Sequence, residues 1–252
     1  MRKGFAVLCF ALAAALCPAQ SDASGADTSR YIVRFKQETL KVVNPDRDEV
    51  ISHLQQSLRR NMASLNKVVK SPMNANVTPL WIANAFAIDA NEAEIKRLAK
   101  MPNVEEIKKS EYGIFIDKDI DKVKVENDPS VIQWSVQKVR APEVWQDFRI
   151  DGAGVVVGVL DTGIDGQHPA FAGKILSFKD FTLDAAVEPT DKQGHGTHVS
   201  GSIAGSQGVG VAPGARLIVA RVFDSKGGTT QDILLAAMQW MFFDRAISEM
   251  KK

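Results

Sequence analysis

Two short stretches of this chain gather residue types that can move a proton. In Asp191-Lys-Gln-Gly-His195-Gly-Thr-His198-Val-Ser-Gly-Ser-Ile-Ala-Gly205, two histidines lie among glycines and small polar residues. Upstream, Asp161 closes the apolar run Val155-Val-Val-Gly-Val-Leu160, and Thr162-Gly163 turn the chain away. Gly194 and Gly196 leave the His195 ring uncrowded and let the backbone turn sharply into a helix. The positive end of a helix dipole disfavours an imidazolium there, which suits a general base. A buried Asp accepting from Nδ1–H would set the tautomer and stabilise the cation formed during reaction. Taken alone, Asp161 fits an ordinary turn equally well. His195 and His198 could instead be a metal pair, but no HExxH pattern and no acidic third ligand accompany them. Packing of His198 against the neighbouring strand is the better expectation. No metal ligand and no cofactor is expected, and His53 and His168 read as surface or turn residues.

The elements that must hold this pair follow from periodicity. Val155–Leu160 and Leu217–Val222 are continuous apolar runs, as in strands buried on both faces of a parallel sheet. Ile175–Phe178 is a weaker third. A helix should continue from the Gly-rich stretch through Val199–Ala204. Another should run over Asp232–Ile247, with Ile233, Ala236, Ala237, Trp240 and Met241 along one side. Residues 30–117 read differently. Tyr31–Lys36 alternates like a strand with one buried face. Ile51, Leu54, Leu58, Met62, Leu65 and Val68 recur at helical spacing, and Leu80–Ile88 is strand-like. Asn91-Glu-Ala-Glu94 starts a helix ended by Pro102, and Val104–Ile107 and Tyr112–Ile116 give two short strands. This order predicts an α+β ferredoxin-like βαββαβ unit followed by an α/β doubly wound parallel sheet. Residues 118–130 (DKDIDKVKVENDP) form a solvated linker between the two.

The 252 residues carry 31 Lys+Arg against 30 Asp+Glu, a formal net charge of +1, which argues against nucleic acid or an anionic membrane as partner. Arg2 and Lys3 precede an apolar run from Phe5 to Leu16 that is short for a bilayer span and is followed by small residues. A secretory signal peptide over residues 1–19 is therefore expected, cut near Ala19 or Ala23, with secreted or periplasmic localisation and no membrane contact after its removal. A membrane anchor, or a lipoprotein site at Cys17, fits less well. Both cysteines, Cys9 and Cys17, lie in this segment, so the mature chain would have no disulfide. No G-x-G-x-x-G or P-loop follows Leu160, which argues against a nucleotide site.

Val157-Gly-Val-Leu-Asp161-Thr-Gly-Ile-Asp165 and Gly194-His195-Gly-Thr-His198-Val-Ser-Gly201 resemble, in that order, the Asp and His blocks of the subtilisin-like serine endopeptidases. Gly210-Val-Ala-Pro213 with Leu217–Val222 resembles the family's next strand. Trp134-Ser-Val-Gln-Lys-Val-Arg-Ala-Pro-Glu-Val-Trp145 resembles its mature N-terminal segment, and residues 28–117 resemble its propeptide. The family's chain order is Asp, His, Ser. The resemblance implies that Asp161 and His195 are catalytic. It also implies that the propeptide sheet packs on helices of the protease, with its tail in the substrate cleft until cut between Asp117 and Asp128. Gly227 and Gly228, with Thr229, match the edge that pairs with an extended substrate, although a plain surface turn also fits them. The implied partner is a polypeptide substrate or the chain's own propeptide; no oligomeric state is implied.

The family pattern breaks after that. Its Gly-Thr-Ser-Met-Ala-like block and oxyanion-hole Asn block have no counterpart, and Ser200, Ser202, Ser206, Ser225 and Ser248 lack that context. Without nucleophile and oxyanion donors most of the rate enhancement goes. The family's calcium loop is not expected either, because Ser206–Gly210 is short and Ala170 replaces a common ligand carboxylate. Residues 131–252 are thus read as a truncated peptidase domain, the N-terminal half of the fold, with strand edges uncovered. The stretch from about Phe243 would come from an early stop, a shifted frame or deliberate fragmentation. Two functions compete: the N-terminal portion of a secreted protease zymogen, inactive alone, and a secreted inhibitor or folding chaperone with a vestigial peptidase half.

Overall fold

The computed structural model describes residues 28–38, 46–65, 76–116 and 131–243. The expected signal peptide, the linker and the stretch after Phe243 lie outside the described residues.

The first unit is built from β1 (Ser29–Phe35), α1 (Arg47–Leu65), β2 (Thr78–Leu80), β3 (Ala85–Ala90), α2 (Glu92–Leu98) and β4 (Val104–Lys109). Its strands form one antiparallel sheet in the order β2-β3-β1-β4. On one face Val33, Phe35, Phe86 and Ile88 pack under Leu58, Leu65 and Leu98 of the two helices. The helix start expected at Asn91 is a capping box. Asn91 Oδ1 accepts from the Glu94 N–H at 3.0 Å, and Glu94 Oε2 accepts from the Asn91 N–H at 3.0 Å.

Two expectations change here. Leu80–Ile88 is not one strand. A 3₁₀ turn over Trp81–Ala83 and Asn84, at φ 47°, fold it into the β2–β3 hairpin. Asparagine tolerates that left-handed backbone, and this one is buried. Its amide donates to the Phe35 and Lys36 carbonyls and its Oδ1 accepts from Ser57 and Asn61. Nor has β1 a single buried face. Ile32, on the side opposite Val33, is buried with Leu80, Ala85 and Ala87 against Leu235 and Ala236.

Tyr112–Ile116 does not join this sheet. Its core, β5 (Gly113–Ile114), pairs elsewhere, as described below. After α3 (Trp134–Lys138) and α4 (Ala141–Phe148), the second unit mixes strands and helices. Its elements are β6 (Val156–Asp161), β7 (Ile175–Asp180), α5 (His195–Ala204), β8 (Arg216–Arg221), β9 (Gly228–Thr229) and α6 (Gln231–Phe243). The three apolar runs form a parallel sheet in the order β6-β8-β7, covered on both faces as their composition requires. Val159, Leu217 and Val219 face Val199, Ile203 and Ala204 of α5. Leu160, Ala220 and Val222 face Ile233, Ala237, Trp240 and Met241 of α6.

Helix α6 is apolar around most of its circumference because it lies between two sheets. Ala236, expected on the same stripe as Ala237, turns instead to the four-stranded sheet with Leu235.

Candidate active site

Asp161 is the last residue of β6 and His195 the first of α5, so two chain reversals bring them to the carboxyl edge of the parallel sheet. Asp161 Oδ1 lies 2.7 Å from His195 Nδ1. An ionised carboxylate only accepts, so the proton sits on Nδ1 and Nε2 is left as the free acceptor. The Thr162 N–H also donates to Asp161 Oδ1, at 2.7 Å. The Asp161 side chain is 9% exposed and the imidazole 37%. A buried carboxylate therefore backs a partly exposed ring. That arrangement can take a proton from a hydroxyl and hand it on.

The start of α5 is held by side chains that the sequence reading had not singled out. Asp191 Oδ1 accepts from the Gln193 and Gly194 N–H groups, at 3.0 and 2.8 Å. Its Oδ2 accepts from the Thr197 N–H and hydroxyl, at 2.9 and 2.7 Å. Burial pushes the Asp191 carboxyl up, but the Thr197 hydroxyl and these backbone donors outweigh it and hold it below the usual carboxylate range. Thr162 Oγ1 accepts from the Gly196 N–H at 2.8 Å, tying α5 to the residue after Asp161. An Asp four residues before a helix and a Thr after the strand are the signals that point to them.

The glycines flanking His195 serve the backbone more than the ring. Gly194 has φ 102°, a left-handed conformation that costs a side chain dearly. A Cβ on Gly196 would stand 2.2 Å from the Gly163 carbonyl oxygen and 3.1 Å from Asp161 Cβ. The helix can approach Asp161 only because that carbon is missing.

Gly227 and Gly228 lie on a segment tied to the same carboxylate residue: the Val222 and Phe223 N–H groups donate to the Asp161 carbonyl, at 2.8 and 3.2 Å. From there the chain reaches β9, which pairs antiparallel with β5 in the register Gly113↔Thr229 and Ile114↔Gly228. The Phe115 and Ile116 N–H groups both donate to the Gly227 carbonyl, at 3.0 and 3.2 Å. The tail of the first unit therefore lies as an extended strand along the glycine edge. Its Tyr112 ring rests where a Gly228 side chain would be, and the Tyr112 hydroxyl donates to Asp224 Oδ2 at 2.8 Å.

His198 does not pack against a strand. It is exposed on α5, because Ser200, Gly201 and Ala204 occupy the buried face of that helix. His168 accepts from the Ala170 N–H at a turn. Among the described residues no group of three or more His, Cys, Asp or Glu side chains is placed to hold a metal ion.

Residues 152–248 match the model of the subtilase family, peptidase S8. Over those residues the chain is similar to the subtilase family. Two curated proteins show how far such likeness extends. Bacillopeptidase F of Bacillus subtilis (strain 168) is 28% identical over 235 residues, 82% of this chain and 16% of that protein. Alkaline serine exoprotease A of Vibrio alginolyticus is 28% identical over 234 residues, 91% of this chain and 41% of that protein. The chain thus spans less than half of either relative. A solved structure, fervidolysin from Fervidobacterium pennivorans, a keratinolytic enzyme related to subtilisin, aligns with a TM-score of 0.50. At 20% identity, over 86% of this chain and 34% of that one, the match speaks for the fold.

Proposed function

We propose that this chain is the N-terminal portion of a secreted subtilisin-like serine endopeptidase zymogen, in which Asp161 and His195 are the aspartate and histidine of the catalytic triad. The observation that carries this is the 2.7 Å contact of Asp161 Oδ1 with His195 Nδ1 inside a subtilase segment. His195 Nε2 would take the proton of an attacking serine hydroxyl and return it to the leaving amine, while Asp161 holds the ring in one tautomer and stabilises the cation.

The nucleophile is not among these 252 residues. None of the serines after His195 stands in a Gly-Thr-Ser-Met-Ala-like block, and Ser200 is fully buried in α5. Residues 28–117 are the propeptide in this reading. The four-stranded sheet seated on α6 and the tail paired with Gly227–Thr229 support it. In a mature protease the same edge would pair with a polypeptide substrate. Residues 1–19, read as a signal peptide, carry the secretory part of the proposal.

Joining residues 1–243 to a C-terminal segment of a subtilisin-like relative that carries the serine block tests the triad roles. Peptide hydrolysis should appear, and Asp161→Asn and His195→Ala should each remove at least about a thousandfold of it. Hydrolysis that survives His195→Ala would refute the assignment. The intact chain should take up no fluorophosphonate label.

The occupied glycine edge also favours a second reading, a secreted inhibitor with a vestigial peptidase half. Low-micromolar inhibition of an active subtilisin by the intact chain, without cleavage of the chain, would favour it.

A further inference from the structure

The largest fully buried side chain among the described residues is charged. Arg221, at the end of β8, is 0% exposed. It stands in register with Asp161 on one neighbouring strand and with Asp180 on the other. Side chains in register on parallel neighbours point to the same face of a sheet, about 4.8 Å apart. That face is the one covered by α5, since Val159, Val219 and Phe178 each lie two residues before the charged positions and pack in the α5 cluster. A guanidinium therefore sits beside the carboxylate that His195 needs.

A buried guanidinium next to a carboxylate would ordinarily pair with it. Here its donors are engaged elsewhere. Arg221 Nη1 donates to Asp180 Oδ2 at 2.7 Å, Nη2 to Asp184 Oδ2 at 2.7 Å, and Nε to the Thr162 carbonyl at 3.1 Å. Asp180 is itself fully buried and held in place: its Oδ1 accepts from the Thr182 N–H and hydroxyl, and its Oδ2 from the Ala186 N–H. Asp161 Oδ1 is left to Thr162 N–H and His195.

We infer that Asp180 and Asp184 are positioning residues: by binding the Arg221 guanidinium they keep it from capturing Asp161 and so reserve that carboxylate for His195. This rests on the reading of Asp161 and His195 as a catalytic pair. The role is electrostatic diversion and involves no contact with substrate. Arg221, so held, also fixes the backbone carbonyl of Thr162, the residue whose Oγ1 accepts from the Gly196 N–H in the first turn of α5.

The test uses the intact chain with ¹⁵N-labelled histidine, reading the His195 tautomer from two-bond ¹H–¹⁵N correlations and the solvent exchange of its Nδ1–H. In the unaltered chain a single Nδ1–H tautomer is expected. Its absence would defeat the catalytic-pair reading itself. With that tautomer in place, Asp180→Asn should mix the tautomers and speed Nδ1–H exchange by at least about tenfold, because the freed guanidinium turns to Asp161. Asp184→Asn should act in the same direction and more weakly, its carboxylate being 38% exposed. The deciding variant is Asp180→Asn with Arg221→Met, which removes the competitor and should restore the single tautomer. A merely structural Asp180 would leave the double variant no better than Asp180→Asn, and that result overturns the inference. So does a folded Asp180→Asn chain, by circular dichroism, with an unchanged tautomer. If Asp180→Asn does not fold, Asp184→Asn alone and with Arg221→Met make the same comparison.

Discussion

Ser110 and Asp232, 122 positions apart, exchange two hydrogen bonds at the seam between the two sheets. The Ser110 hydroxyl donates to Asp232 Oδ1 at 2.7 Å and accepts from the Asp232 N–H at 3.3 Å. Thr230 Oγ1 donates to the same Oδ1 at 2.7 Å, and Arg30 Nε donates to Oδ2 at 3.0 Å. A carboxylate in the first turn of α6 thus anchors the first unit through two of its strand ends, with the helix dipole adding to the attraction.

Removing that carboxylate should loosen the whole seam. Asp232→Ala leaves Arg30 Nε and the Ser110 hydroxyl without their acceptor, and hydrogen bonds to a buried charged group contribute about 1.5–3 kcal/mol. Urea denaturation should show a loss of about that size, with Ser110→Ala costing about 1 kcal/mol. An unchanged midpoint in Asp232→Ala would mean that the apolar contacts of Ile32, Leu80 and Ala87 with α6 hold the units together alone.

The same carboxylate makes stability depend on pH. Burial pushes Asp232 up, but Ser110, Thr230 and Arg30 outweigh it and hold its folded pKa below the usual value. A lowered folded pKa stabilises above the unfolded value, about 3.9, and that contribution is lost as pH falls through the folded one. Thermal melts of the native chain should therefore fall more steeply below about pH 4 than those of Asp232→Asn. Parallel curves in that range would show that Asp232 contributes nothing to acid sensitivity.

Gly196→Ala should separate the candidate pair without touching either member. The new methyl group meets the Gly163 carbonyl at 2.2 Å, an overpacking that costs about 1–3 kcal/mol. Helix α5 must move away from Asp161, so the single His195 tautomer should be lost in the histidine ¹⁵N spectrum. A retained tautomer would show that the sheet edge yields in place of the helix.

Gly228→Val should release the tail and spare the sheets. Its side chain would run into Tyr112, whose hydroxyl oxygen lies 1.9 Å and nearest ring carbon 2.0 Å from the Cβ position. Amide hydrogen exchange at Phe115 and Ile116, which donate to Gly227, should accelerate strongly while β8 amides keep their protection. Equal protection in both chains would mean that the tail is not held by this edge.

Several features could be read before any coordinates. An apolar run ending in Asp and a Gly-rich stretch opening on His placed Asp161 at a strand end and His195 at a helix start, where both are found. Asn91 with Glu94 announced a helix cap, and the three apolar runs announced a parallel sheet. Single-residue surprises hid in equally short stretches. Asn84 breaks what looks like one strand, because its left-handed backbone gains its reward only from the Phe35 and Lys36 carbonyls, far away in sequence.

What the sequence determined by itself was local: backbone preference and apolar period act over a few residues, so strands, caps and the placement of the two candidate groups were legible. Only the tertiary structure decided which surfaces meet. It turned Ile32 and Ala236 toward each other's units, sent the Tyr112–Ile116 segment to Gly228 instead of its own sheet, and delivered Arg221 to Asp180 and Asp184 instead of Asp161. Such pairings depend on which buried groups can satisfy one another once two faces are pressed together, and no window of neighbouring residues contains that information.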